Sequence, residues 1–150
     1  MKKFIVLAAL IQIIGCGSSS TKLNLPESSS AVWEIYEGSL PCADCSEIKT
    51  RLELFIDPSN AEPPFIIKQA FIGKKDEDQA VIDHGVYGTL KGEYRGNDAT
   101  VYELNPDKKE KRMYFLRVHP DTLRMVDRNM QEISTGLNYD LVRTETLKER

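Results

Sequence analysis

The stretch Ile48-Lys-Thr-Arg-Leu-Glu-Leu-Phe-Ile56 constrains the fold more than any other part of the sequence. Ile48, Thr50, Leu52, Leu54 and Ile56 recur at every second position, with Lys49, Arg51 and Glu53 between them. In an extended strand successive side chains point to opposite faces, so this pattern makes one apolar and one wetted face. Wound into a helix, the same residues scatter around the circumference. The segments 31–37, 65–72, 86–90, 100–104, 112–118, 122–126 and 137–143 also predict strands. The links 73–78 and 105–112 are charged and read as solvated hairpin tips. No stretch past residue 30 carries a helical stripe. About eight short strands joined by short links predict an all-β domain over 31–143, with 144–150 as a polar tail.

The expected architecture is a small antiparallel up-and-down barrel, lipocalin-like in form. Eight strands close around an interior that side chains just fill, or one with room for a single small ligand. Closure also removes the open sheet edges that invite aggregation. Apolar residues make up 41% of the chain, enough for a core, and the formal charge of −3 comes with no basic block. Nucleic acid is therefore not an expected partner.

Residues 1–15 have the layout of an export signal: Lys2 and Lys3, then an apolar run too short to span a bilayer. The run ends in Ile13-Ile14-Gly15-Cys16, which resembles a bacterial lipobox, so Cys16 is the expected lipidation site. Removal of Lys2 and Lys3 with the signal would take the charge from −3 to −5. Residues 16–30, rich in serine, read as a lipidated flexible tether. The expected location is the bacterial cell envelope, held to a membrane through the N-terminal lipid. In enteric-type bacteria, Gly17 rather than an aspartate after the lipidated cysteine would imply sorting to the outer membrane, facing the periplasm. Export also implies an oxidising compartment, and assigning Cys16 to lipid leaves Cys42 and Cys45 as an even pair.

Between the first two strands lies Tyr36-Glu-Gly-Ser-Leu-Pro-Cys42-Ala-Asp-Cys45. This run resembles the NlpE family of envelope lipoproteins, matching Tyr-x-Gly-x-Leu-Pro-Cys-Ala-Asp-Cys at every fixed position. The later residues Asp121-Thr-Leu-Arg-Met-Val-Asp127-Arg-Asn, Ile133 and Asn138-Tyr-Asp-Leu141 support the resemblance. It implies a role in copper resistance or envelope-stress sensing, an envelope signalling partner, and no catalysis. Three departures stand out. Glu47 and Met130 replace glycines, and with Met130 in its turn, Asn129 is expected to take the positive φ. The chain to Arg150 reads as the barrel domain without the second, OB-like domain of some members, so redox signalling through such a domain is not expected.

Three chemistries suit Cys42-Ala-Asp-Cys45. A local disulfide would close a short loop, worth about 2 kcal/mol in the loop-entropy picture. Two thiolates could instead clip Cu(I), which favours sulfur and low coordination; no cofactor is required for the fold. Thiol-disulfide catalysis is disfavoured, because Ile48 begins an alternating strand where a redox site would need a helix N-terminus. Ser46 in place of histidine excludes c-type haem attachment, and no second Cys/His pair completes a structural zinc site.

Other candidates are weaker. Met125 and Met130 could lend thioethers to Cu(I) but read better as core fillers. His84 and His119 read as loop residues. Trp33, Ile35, Tyr102 and Tyr139 could line a cavity in a carrier of lipid or another small apolar ligand, or simply fill the barrel.

Overall fold

The computed structural model describes residues 31–73 and 80–148. The signal, Cys16, the tether and most of the 73–78 link lie outside the described residues. Eight strands follow one another: β1 (Val32–Leu40), β2 (Glu47–Ile56), β3 (Pro64–Ile72), β4 (Val81–Tyr94), β5 (Asn97–Leu104), β6 (Met113–His119), β7 (Thr122–Val126) and β8 (Asp140–Lys148). Each pairs antiparallel with the next, and β8 pairs back onto β1 to close the barrel. Among the described residues there is no helix.

The alternation in β2 resolves as the sequence implies. Thr50, Leu52 and Leu54 are buried, with Ile48 and Ile56 packed against the same core. That core also holds Tyr36, Phe65, Leu104, Phe115, Leu123 and Leu141, each at 0 or 1% exposure. Each such side chain contributes roughly 1.5–3 kcal/mol through removal from water. The interior is thus filled along its middle by aromatic and leucine side chains.

A second apolar cluster sits on the outside. Val101, Tyr114, Leu116 and Val126 alternate out of phase with the interior residues and are covered by Leu90, Tyr94, Ala99 and Val118. This explains the length of β4. The sequence suggests only 86–90, a segment flanked by Gly85 and Gly92. The strand nevertheless continues to Tyr94 so that its outer face can cover Val101 and Leu116. Gly92 is required there, since a Cβ would stand 2.8 Å from Val101 Cγ2.

Three expectations need correction. Residues 144–148 are not a tail but the second half of β8, paired with β1 from Ile35↔Glu145 to Val32↔Lys148. Their side chains are all exposed, so burial left no alternation to read. Met130, not Asn129, takes the positive φ, at 61°. The Asp127 carboxylate accepts the N–H groups of Asn129 and Gln131, and the Asp127 carbonyl accepts that of Met130, fixing the turn around that residue. The 105–112 link is not wholly solvated either. Asn105 is buried at φ 54°, its side-chain amide donating to Asp83 and to the Lys111 carbonyl.

Candidate functional site

The barrel has two chemically different ends. At one, β1 leaves the sheet at Leu40 and returns as β2 at Glu47, and the intervening turn carries the cysteines. Cys42 and Cys45 form a disulfide, with Cα atoms 5.3 Å apart. Both residues are half-buried, while Ala43 and Asp44 between them are exposed. An Asp44 carboxylate oxygen lies 3.5 Å from Cys42 Sγ, and the Glu47 carbonyl oxygen 3.4 Å from Cys45 Sγ. A disulfide sulfur has no proton to donate, so in the oxidised form these are packing contacts.

The turn is anchored on its far side. Ser46 N–H donates to the Ile72 carbonyl at 2.7 Å, tying the cysteine loop to the end of β3. Gly73 follows at φ 86°, and a Cβ on it would stand 2.5 Å from Ser46 Oγ. Glu47, where the sequence comparison expects a glycine, keeps an ordinary negative φ as the first residue of β2. The two sulfurs and an Asp44 oxygen all lie within 4.8 Å of one another. That spacing belongs to the bonded pair; once the S–S bond is reduced, two thiolates on one short turn are free to open toward a single Cu(I), so the residue types present suit the metal the family resemblance implies.

The opposite end holds a network the sequence reading missed. Glu34, 8% exposed, accepts from the Tyr36 hydroxyl at 2.7 Å, from Arg117 at 2.9 Å and from Arg143 at 2.6 Å. Arg117 also donates to the Tyr102 hydroxyl at 2.6 Å, and Arg143 pairs with Asp121. Burial alone would raise the Glu34 carboxyl, but the Tyr36 hydrogen bond and the two guanidinium groups outweigh it and hold it below the usual carboxylate range. Burial, and then the bond to Glu34, push the Tyr36 phenol well up. The pairing registers shift between Ile35 and Tyr36 and between Arg117 and His119, next to the charged residues. Each shift leaves one residue unpaired, Thr144 in β8 and Val118 in β6, directly after Arg143 and Arg117.

The remaining candidates separate. Met125 packs against the interior core, whereas Met130 is 36% exposed and fills nothing. His84 lies within β4 rather than in a loop, and His119 ends β6, its Nδ1 accepting the Asp121 N–H. Trp33 and Ile35 alternate out of phase with Glu34, Tyr36 and Leu40. Trp33 stacks on Phe55 at 5.2 Å, so neither lines the interior. Tyr139 stands in the β7–β8 connection, where Thr135 donates to its hydroxyl. Of the four candidates for cavity lining, Tyr102 alone belongs to the interior core, and with Tyr87 and Ile56 it borders a cavity of about 350 Å³ at the ion-pair end.

A closed antiparallel barrel with a packed interior and a disulfide-closed CxxC turn at one rim defines a small, lipocalin-like β-barrel domain. The chain belongs to the NlpE family: the NlpE N-terminal domain matches residues 36–136. It is also similar to lipoprotein NlpE of Escherichia coli (strain K12), at 29% identity over 149 residues, covering 94% of this chain and 57% of that protein. The chain thus spans little more than half the length of that curated relative. No solved structure gives a significant match.

Proposed function

We propose that this domain is the periplasm-facing part of a lipid-anchored envelope lipoprotein that serves copper homeostasis or envelope-stress sensing. Cys42 and Cys45 are its working residues, interchanging between disulfide, dithiol and Cu(I)-bound forms. The observation that carries this reading is the placement of the pair: a half-buried rim turn between β1 and β2, tied to the end of β3 by the Ser46–Ile72 backbone hydrogen bond. Each form requires a different sulfur separation, so each presents a different rim to an envelope signalling partner. Membrane attachment through Cys16 and an outer-membrane location are part of the same proposal.

Copper titration tests it. The reduced chain is expected to bind one Cu(I), and Cys42→Ser/Cys45→Ser to lose that binding; equal affinity of the two proteins ends the proposal. A carrier function is the second reading, and the cavity bordered by Ile56, Tyr87 and Tyr102 is what favours it. It calls for saturable binding of an apolar dye that is abolished by Tyr87→Ala and untouched by Trp33→Ala.

A further inference from the structure

We propose that Asp44 is a third metal ligand beside reduced Cys42 and Cys45, which lets the rim hold a thiophilic divalent cation of the Zn(II) class as well as Cu(I). This rests on the thiol-clip reading and adds to it a donor and a class of cation. The geometry is local. A carboxylate oxygen of Asp44 lies 3.5 Å from Cys42 Sγ, and all three donor atoms fall within 4.8 Å of one another. Zinc bonds of about 2.3 Å to sulfur and about 2.0–2.2 Å to oxygen give tetrahedral ligand–ligand edges of roughly 3.5–3.8 Å. The Asp44–Cys42 spacing already has that length. The sulfurs reach it when their bond is cut, with Cα atoms 5.3 Å apart to accommodate the opening. Ser46, held to Ile72, keeps the C-terminal side of the turn in place while it adjusts.

Charge and hardness divide the two metals. Cu(I) is satisfied by two sulfurs and gains little from a hard oxygen. A divalent cation wants four donors, and an anionic oxygen is a normal third. Because Asp44 is exposed, water reaches the fourth position. Opening the site consumes two electrons and two protons, supplied by a dithiol donor that is itself oxidised to a disulfide. The incoming cation then displaces both thiol protons to solvent.

The test uses the full chain, reduced with a phosphine under anaerobic conditions. Zn(II) and Cu(I) affinities are measured by chelator competition, and the ligand field is read from Co(II) spectra. Asp44→Asn is expected to weaken Zn(II) binding at least tenfold and alter the Co(II) spectrum, leaving Cu(I) affinity within threefold. Asp44→Glu should restore part of the Zn(II) affinity. Unchanged Zn(II) affinity in Asp44→Asn, or no Zn(II) binding by the wild type, overturns the proposal while leaving the thiol clip standing. Parallel losses of Zn(II) and Cu(I) also overturn it, since they mark Asp44 as a support for the turn. Cu(I) binding that survives Cys42→Ser/Cys45→Ser is the separate failure of the underlying reading.

Discussion

Replacing Glu34 by glutamine should cost the domain far more stability than any surface charge change. The two carboxylate oxygens have divided duties: one accepts from Tyr36 and Arg117, the other from Arg143. An amide offers one oxygen and one NH2 group. Whichever way it is turned, an N–H donor then faces an arginine N–H, and the negative charge between two guanidinium groups is gone. Removing one partner of a buried pair typically costs about 3–5 kcal/mol. Both arginines keep other partners, Tyr102 and Asp121, and their side chains are 25% and 28% exposed, which argues for the low end. A loss of about 3 kcal/mol, at a urea slope of roughly 1.5 kcal/mol per molar, lowers the unfolding midpoint by about 2 M. The matched control is Glu37→Gln, which removes an exposed ion pair to Arg51 and should cost less than about 1 kcal/mol. Equal midpoints for the two variants would refute the claim that the Glu34 network holds that end of the barrel together. The same network sets a pH dependence. The Glu34 carboxyl is lowered in the folded state, so its contribution is complete above the unfolded carboxylate range and disappears as pH falls through the folded value. Glu34→Gln should therefore flatten the acid limb of the stability curve.

Two other substitutions probe the backbone. Gly38→Ala would place a Cβ 2.5 Å from the Asp140 carbonyl oxygen, forcing apart the β1–β8 seam that closes the barrel. Thermal unfolding should show a loss of more than about 2 kcal/mol, within the range of overpacking, and wild-type stability would mean the seam is looser than described. Met130→Gly relieves an L-residue held at φ 61° and should stabilise the domain by about 1 kcal/mol; destabilisation would place the positive φ elsewhere.

The parts of the fold that were legible in the sequence are those where one face is buried and the other wet. β2 announces itself because Leu52 and Leu54 alternate with Arg51 and Glu53. The end of β8 does not, because residues 144–148 are exposed and are held mainly by their pairing with β1, with one ion pair from Glu145 to Arg51. A ladder of that kind leaves no compositional trace. Trp33 and Ile35 misled for a related reason: both are apolar, and the inward phase in β1 belongs instead to Glu34 and Tyr36. A signal for the ion-pair network was nonetheless present. Glu34 is in phase with Tyr36, Arg117 with Phe115, and Arg143 with Leu141, so each charge stands where an interior side chain belongs. Their pairing across 83 and 109 residues could be seen only once the barrel had closed. The rim cysteines, by contrast, were legible at once, because a spacing of two residues forces proximity whatever the surrounding fold.

Copper K-edge X-ray absorption on the reduced chain, loaded with one equivalent of Cu(I), tests the role assigned to that rim most directly. Two sulfur neighbours in the wild type, replaced by oxygen or nitrogen in Cys42→Ser/Cys45→Ser, are the expected result. A first shell without sulfur, or one that the double substitution leaves unchanged, would contradict it.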